Sequence, residues 1–109
     1  KAMDIAEKCF NISESLPKKE DYALTSQLRR SAESISANIA EGFGRRTAKD
    51  KGRFYDISRG SAFETKSHLI YGSRVKYFSE NECLEIKNLI NEVVHDLNKI
   101  TNHLSRIHP

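Results

Sequence analysis

The sequence predicts an all-α protein, an up-and-down antiparallel four-helix bundle. In four successive segments apolar residues recur at alternating steps of three and four, the spacing of one helix face. Short polar or glycine-containing connections separate the segments, and short connections favour antiparallel neighbours. No segment shows the strict apolar/polar alternation of a half-buried strand. The 109 residues are therefore expected to form one domain, spanning residues 1–109, around a single core.

Composition indicates an intracellular setting. The sequence has no uninterrupted apolar run of about 18 residues, so we expect no membrane span. The amino end is mixed and polar, so we expect no signal peptide and a cytoplasmic location. Cys9 and Cys83 lie far apart in apolar seams and form no CxxC pair. They are expected to be two buried, reduced thiols.

The first two helices are predicted over residues 1–14 and 22–43. The first has the seam Ala2, Ile5, Cys9, Ile12 and Leu16, and Pro17 ends it. Asp21 is the expected amino cap of the second, whose seam is Leu24, Leu28, Ala32, Ile35, Ile39 and Phe43. Gly42 and Gly44 are expected to end this helix in left-handed conformations.

The third helix is predicted over residues 50–77, with Thr47 or Asp50 as its cap. At about 100° per residue, the centre of its core face is Phe54, Ser58, Ser61, Thr65, His68 and Gly72, flanked by Ile57, Ala62, Leu69 and Val75. Phe63 and Ile70 lie on the opposite side, seven residues apart. Two apolar residues on one outer stripe predict an oligomer interface. Arg30, Ala37 and Glu41, opposite the seam of the second helix, are expected to join it.

The fourth helix is predicted over residues 79–107 and has the most regular pattern. Its seam is Cys83, Ile86, Ile90, Val93, Leu97, Ile100, Leu104 and Ile107. Such a heptad repeat is typical of a left-handed bundle. Ser79, with Glu82 three residues later, predicts a capping box at its start.

Positive charge is concentrated in one part of the chain. The formal net charge is +3, but residues 44–77 carry nine basic and three acidic side chains, +6, while residues 78–109 carry −2. Six basic residues form the predicted nucleic-acid-binding surface: Arg45, Arg46, Lys49 and Arg53 at one end of the bundle, and Arg59 and Lys66 along the third helix. Lys and Arg neutralise phosphates without reading sequence.

Three stretches indicate a family. They are Gln27-Leu28-Arg29-Arg30-Ser31-Ala32, then Ser34-Ile35-x-x-Asn38-Ile39-Ala40-Glu41-Gly42, and then Arg59-Gly60-Ser61-x-x-Glu64. The chain resembles, over nearly its whole length, the bacterial four-helix-bundle family encoded by intervening sequences within 23S ribosomal RNA genes. That family is often labelled ribosomal-protein-like, and it includes the accessory variability protein of diversity-generating retroelements.

The resemblance implies a ring-shaped homopentamer with a basic surface and no catalysis. In the retroelement branch it also implies binding to RNA or DNA and to a reverse transcriptase. Phe63 departs from the pattern, since an aliphatic residue is expected there.

Five residues of the family's motif have expected structural roles. Asn38 is expected to bond across to the third helix, Glu41 to pair with Arg45 or across an interface, and Glu64 to pair with an arginine. Gly42 and Gly60, with Gly72, are expected to serve helix termination and close packing.

Enzymatic alternatives find little support. Histidine phosphotransfer bundles place a Lys three residues after the helical His, whereas Tyr71 stands three residues after His68. Glu92 and His95 have the spacing of a di-metal motif but project away from the seam. The sequence contains no Gly-x-Ser-x-Gly elbow. We therefore expect no catalytic residue, no metal site and no cofactor.

Two functions remain open. The first is an oligomeric RNA- or DNA-binding protein that acts with a protein partner. The alternative is a protein-binding oligomeric scaffold in which the positive charge serves only solubility.

Overall fold

The computed structural model describes residues 1–107, which form an all-helical bundle without strands. Its four long helices are α1 (Ala2–Ser13), α2 (Leu24–Gly44), α3 (Ala48–Arg74) and α4 (Glu80–Ile107), and a short 3-10 helix spans Lys18–Glu20. The bundle measures 47 × 23 × 18 Å. No helix within residues 1–107 is long and apolar enough to cross a membrane.

Pairs of side chains define the antiparallel arrangement. From Arg59 to Lys66, seven residues forward along α3, the hydrogen-bond partners on α4 move seven residues back, from Asn98 to Asn91. Likewise Lys1 pairs with Asp96 and Lys8 with Glu85, which sets α1 antiparallel to α4. The Ser31–Thr65 and Ser34–Ser61 hydroxyl contacts do the same for α2 and α3. The described part of α1 lies beside residues 85–96 of α4.

Side chains and turns define the helix ends. Thr47 Oγ1 accepts a bond from Asp50 N at 3.1 Å, so Thr47 is the cap of α3. Ser79 and Glu82 form the predicted reciprocal capping box. The prediction of Asp21 as the cap of α2 is wrong. Ala23 occupies the cap position, and the side chain that accepts from Leu24 N is Glu20.

The end of α3 differs from the prediction because of the backbone at Lys76. This residue has φ 70°, and Tyr77 N donates to Gly72 O while Lys76 N donates to Ser73 O. These bonds form a Schellman motif, which closes the helix at Arg74, three residues before the predicted end at 77. Phe78 then packs on Gly72, where an added Cβ would lie 2.4 Å from the ring.

The core contains most of the predicted seams. The fully buried side chains include Ile5, Cys9, Leu28, Ala32, Ile35, Ala62, Leu69 and Ile90. Both thiols are free and buried, and burial raises the pKa of Cys9 to about 12 and also raises the pKa of Cys83. Ser58, Ser61 and Thr65 are buried as well, and Ser58 Oγ donates to Ile35 O on α2 at 2.8 Å. Small hydroxyl residues therefore form the α2–α3 contact.

The predicted seam of α2 is wrong at its carboxyl end. Phe43 is 79% exposed, and Gly42 is buried in its place. Each step of four residues advances a position by about 40° around the helix, so the run Ile35–Ile39–Phe43 leaves the core face. None of the glycines in the described residues has a positive φ, so the predicted left-handed ending at Gly42 and Gly44 is also wrong.

The predicted core face of α3 needs two corrections. Tyr55 is buried, whereas Phe54 is only half-buried, because the Tyr55 ring fills the space that Gly42 leaves open on α2. The predicted flanking residues Ile57 and Val75 are exposed. Both lie about 100° from Ser58 around the helix, beyond the reach of the neighbouring helices.

Candidate nucleic-acid interface

The α2–α3 turn and the carboxyl end of α4 lie at the same end of the bundle. Arg59 is level with Asn98, with which it bonds at 2.8 Å. From this pair α3 extends eleven residues back to Ala48 and α4 extends nine residues forward to Ile107. At 1.5 Å per residue these two ends differ by only about 3 Å along the bundle axis. We call residues 42–53 and 98–107 together the basic end.

The basic end has a large excess of positive charge. Its seven basic side chains are Arg45, Arg46, Lys49, Lys51, Arg53, Lys99 and Arg106, and its only acidic one is Asp50. The formal charge of the basic end is therefore +6, and since the whole chain carries +3, the remainder carries −3. The two regions of the molecule have opposite sign.

Lys99 and Arg106 were missed as candidates, because the sequence count placed them in the net-negative segment 78–109. The last ten described residues of α4 contain no acid, and that local count would have revealed them once the helices were taken as antiparallel. A charge count over consecutive residues combines side chains that an antiparallel fold places at opposite ends of the bundle.

Two of the predicted arginines are arranged around one aromatic ring. The guanidinium carbons of Arg45 and Arg53 each lie 4.6 Å from the centroid of the Phe54 ring. Such cation–π contacts hold the two cations close together in spite of their repulsion. Arg45 also pairs with Glu41 at 3.2 Å, one of the two partnerships expected for Glu41.

Arg46 and Lys49 are two predicted cations of the basic end that remain available to a ligand. Both are exposed, and neither forms an ion pair or a side-chain hydrogen bond with the residues of 1–107. Lys51 has a structural task instead. Its Nζ donates to Phe43 O at 2.8 Å and Gly42 O at 3.4 Å, and so satisfies carbonyls at the end of α2.

Arg59 lies at the inner limit of the basic end, level with Asn98, and Lys66 lies seven residues further along α3. They line the outer groove between α3 and α4, where each donates to an asparagine of α4. Arg59 also lies 5.0 Å from the centroid of the Phe63 ring. The structure therefore divides the six predicted phosphate ligands into four at the basic end and two along the side of the bundle.

The predicted interface residues also fall into two groups. Phe63 and Ile70 are 46% and 40% exposed, and each follows by four residues a cation that bonds to α4, so they lie on the α4 side of α3. Arg30 pairs with Glu64 and therefore lies on the α2 side of α3. Ala37 and Glu41 are exposed on α2. The two groups are separated by the outer ridge of α3.

Among the motif residues, the prediction for Asn38 is wrong in detail. Asn38 Nδ2 donates within α2, to Ser34 O and Ser34 Oγ at 2.9 Å each, and it is Ser34 Oγ that contacts Ser61 on α3 at 3.0 Å. Asn38 thus orients Ser34 instead of bridging the helices itself.

The other motif residues support the α2–α3 contact to different degrees. Glu64 pairs with Arg30, and its Oε2 also lies within hydrogen-bonding distance of His68 Nε2, at 3.2 Å, so the half-buried histidine has a local partner. Gly42 allows close packing, since a Cβ there would lie 2.6 Å from Tyr55 Cε1. The prediction for Gly60 is wrong, because a Cβ there would meet nothing within 4 Å and the helix continues through it.

Residues whose spacing resembled a metal or catalytic motif take part in other contacts. No group of three or more His, Cys, Asp or Glu side chains within residues 1–107 is placed to hold a metal ion. Glu92 and Asp96 instead pair with Lys1, and the Asp96 carboxylate raises the pKa of Lys1 while Lys1 lowers that of Asp96.

Comparisons with known proteins identify the family. A family model described as 23S rRNA-intervening sequence protein matches residues 1–99. The chain belongs to this family. A crystal structure of a protein of unknown function from the S23 ribosomal protein family of Bacteroides thetaiotaomicron is similar, with a TM-score of 0.85 and 25% sequence identity. The match covers 92% of this chain and 94% of that one. Curated proteins gave no match.

Membership of the 23S rRNA-intervening sequence family agrees with the resemblance predicted from the sequence. The solved relative shares the all-helical bundle over almost its whole length. Its function is unknown, so it supports the fold of the family and leaves the task of the basic end to the chemistry of this chain.

Proposed function

We propose that this family member is a non-enzymatic, oligomeric nucleic-acid-binding protein whose basic end contacts the phosphate backbone of RNA or DNA. The observation behind the proposal is the formal charge of +6 on one end of a chain whose net charge is +3. Arg46 and Lys49 are exposed there without an acidic partner among the described residues. The proposal includes a protein partner, such as a reverse transcriptase, as in the retroelement branch of the family.

The electrostatics of the basic end favours binding of a polyanion over a role of the charge in solubility alone. Clustered cations attract phosphates through the combined field of several side chains, and each neutralised phosphate releases counterions into solution. The Phe54 ring holds Arg45 and Arg53 side by side, so part of the cost of bringing two cations together is offset before a ligand arrives. An oligomer would multiply the field, because each copy contributes its own basic end.

A protein-binding scaffold is the second candidate. The exposed Phe63 and Ile70 favour it, since they form an exposed apolar stripe on the α4 side of α3. The two functions are compatible if this stripe forms the oligomer and the basic end binds nucleic acid. The two functions predict different effects of charge reversal at the basic end on RNA binding.

The experiment is a charge reversal with a matched control. The variant Arg46→Glu/Lys49→Glu changes two exposed cations at the basic end, and Lys18→Glu/Lys19→Glu makes the same change in charge in the α1–α2 connection. The control pair lies at the opposite end, because neighbouring Glu20 accepts a bond from Tyr77 of the α3–α4 turn. Binding of a labelled structured RNA is measured by anisotropy across a salt series, with the mass of the protein recorded.

The basic-end variant is expected to lose at least about tenfold in affinity, and its salt slope is expected to fall by about two. The control is expected to stay close to the parent protein. Equal losses in both variants would mean that only net charge matters. No loss in either variant would contradict binding at the basic end, and the absence of RNA binding by the parent protein would favour the scaffold.

A further inference from the structure

Two arginines at the basic end share one aromatic ring. The guanidinium carbons of Arg45 and Arg53 each lie 4.6 Å from the centroid of the Phe54 ring, so the two carbons are at most twice that distance, 9.2 Å, apart. Arg45 follows α2 and Arg53 lies in the second turn of α3. The half-buried ring therefore joins cations from the two sides of the α2–α3 turn. We call Arg45 and Arg53 the arginine pair.

The ring contacts leave the hydrogen-bonding groups of the arginine pair free. A cation–π contact depends on the charge of a guanidinium and does not require its N–H groups to find an acceptor. Arg45 gives one N–H to Glu41 Oε2 at 3.2 Å. Arg53 is exposed and forms no ion pair or side-chain hydrogen bond with the residues of 1–107. Since each guanidinium has five N–H donors, most of the donors of the arginine pair remain available to a ligand.

The donors and the charge of the arginine pair fit a phosphate group. A guanidinium binds phosphate oxygens through paired, charge-assisted hydrogen bonds of about 2.8 Å. Two guanidinium carbons at most 9.2 Å apart are close enough for both groups to bond to the oxygens of one phosphate. Arg45, Arg53 and Glu41 together carry a formal charge of +1, which matches the single negative charge of a phosphodiester.

Glu41 is the anion that Arg45 contacts in the free protein. Their side chains are 43% exposed for Arg45 and 56% exposed for Glu41, and an ion pair so exposed contributes little to stability. A phosphate can therefore replace the Glu41 carboxylate at low cost. The contact with Phe54 holds the Arg45 guanidinium in place during this exchange.

We propose that the arginine pair, held by Phe54, binds a single phosphodiester group of the RNA or DNA backbone, and that Glu41 competes with this phosphate for Arg45. This inference rests on the proposed function and goes beyond it in three ways. It assigns one phosphate to two particular arginines, it makes the uncharged Phe54 a positioning residue, and it gives Glu41 an inhibitory role.

The first test conserves charge. Arg45→Lys/Arg53→Lys keeps both positive charges and removes both guanidinium groups, so affinity for the labelled structured RNA is expected to fall about tenfold while the salt slope stays unchanged. The matched control is Arg29→Lys/Arg74→Lys. Arg29 also lies over a phenylalanine ring, 4.3 Å from the centroid of Phe10, but it bonds to Ser13 at the opposite end of the bundle. The control is expected to bind RNA as the parent protein does.

The second test removes the ring and keeps every charge. Phe54→Leu is expected to weaken RNA binding about fivefold at an unchanged salt slope, because the two guanidinium groups lose their common support. In the Arg45→Lys/Arg53→Lys protein the same substitution is expected to cost little more, since the ring acts through the arginines. A merely structural role of Phe54 would give equal losses in both backgrounds. Far-ultraviolet circular dichroism checks that each variant folds.

The third test concerns the competing carboxylate. Glu41→Gln is expected to tighten RNA binding about two- to fivefold, because the phosphate no longer displaces an ion pair. Glu33→Gln makes the same change in charge on an exposed residue eight positions earlier in α2, about 12 Å away. It is expected to change the affinity little, since salt screens charges at that distance.

The outcomes separate this inference from the proposed function. If the lysine variant or Phe54→Leu binds RNA as the parent protein does, while Arg46→Glu/Lys49→Glu loses affinity, the phosphate site at the arginine pair is refuted and diffuse backbone binding stands. Equal gains for Glu41→Gln and Glu33→Gln would refute the competition. If the parent protein binds no RNA at low salt, the proposed function fails. Binding of a labelled poly-glutamate peptide that depends on the arginine pair would then identify a carboxylate site and overturn the inference as well.

Discussion

Gly42 and Tyr55 show how single residues fix the approach of two helices. The Tyr55 ring lies where a side chain at position 42 would lie, with an added Cβ only 2.6 Å from Cε1. Gly72 does the same for Phe78 at the other end of α3. Both glycines are buried and helical, so they are required for space and not for backbone conformation.

The first prediction compares two helical glycines. Gly42→Ala is expected to lower the free energy of unfolding by about 1–3 kcal/mol, because the new methyl must displace the Tyr55 ring. Gly60→Ala adds the same methyl to an open position and is expected to raise it by about 0.5–1 kcal/mol. Urea unfolding followed by circular dichroism measures both. Equal effects at the two sites would contradict the packing role of Gly42.

At the residue scale, the sequence predicts which residues have a structural role better than it predicts which residues they contact. The small size of Gly42 suggested close packing, but not that Tyr55 would be the ring against it. Asn38 was recognised as a structural amide, yet its partner is Ser34 on the same helix. Partners depend on the rotation of one helix against another, to within a fraction of the 100° between successive residues. Spacing alone does not define that rotation.

The α4 helix shows what a repeating seam determines and what it does not. Its heptad pattern predicts one apolar face from Cys83 to Ile107, and the helix forms over that length. Burial, however, stops after Leu97, since Ile100 and Ile107 are exposed and Leu104 is half-buried. The pattern specifies an apolar face, whereas burial along that face depends on which neighbouring helices pack against each turn.

The second prediction measures this change along α4. Ile90→Ala is expected to cost about 2–5 kcal/mol of unfolding free energy, because Ile90 is fully buried and the deletion leaves a cavity. Ile107→Ala removes the same atoms from an exposed site and is expected to change the free energy by less than about 0.5 kcal/mol. Chemical denaturation gives both values. A large cost at Ile107 would mean that another surface covers the end of α4.

At the element scale, the predicted amino caps of α3 and α4 were correct, whereas the predicted cap of α2, Asp21, was wrong. Thr47 and the Ser79–Glu82 pair act as expected because capping depends on residues within one turn. The end of α3 was predicted too late. Lys76 adopts a φ of 70° although it is not glycine, and no local sequence pattern indicates this conformation. Capping within one turn can therefore be predicted from the sequence, whereas the backbone conformation of Lys76 cannot.

At the scale of the whole molecule, the antiparallel fold separates charge. The α2–α3 turn and the end of α4 together carry +6, although the segment count assigned α4 to the negative part of the chain. The bundle and the cations of residues 45–53 were predictable from the sequence. The contribution of Lys99 and Arg106 was not, since it follows from the register of the packed helices.

The third prediction concerns assembly. Phe63→Asp/Ile70→Asp places two charges on the exposed stripe of α3 and is expected to dissociate the proposed oligomer, because an interface cannot bury unpaired carboxylates without cost. Multi-angle light scattering measures the mass, with Ser67→Asp/Arg74→Asp as a control on the neighbouring outer positions. An unchanged mass for the Phe63/Ile70 variant would exclude this stripe as the interface.

The central claim is that the basic end binds nucleic acid through its cations, and one measurement tests it most directly. Anisotropy of a labelled structured RNA is recorded with the parent protein between about 50 and 200 mM salt, together with the protein mass in each buffer. The account predicts binding by an oligomer at low salt and a steep fall in affinity as salt increases. The absence of binding at the lowest salt, or affinity that does not depend on salt, would contradict it.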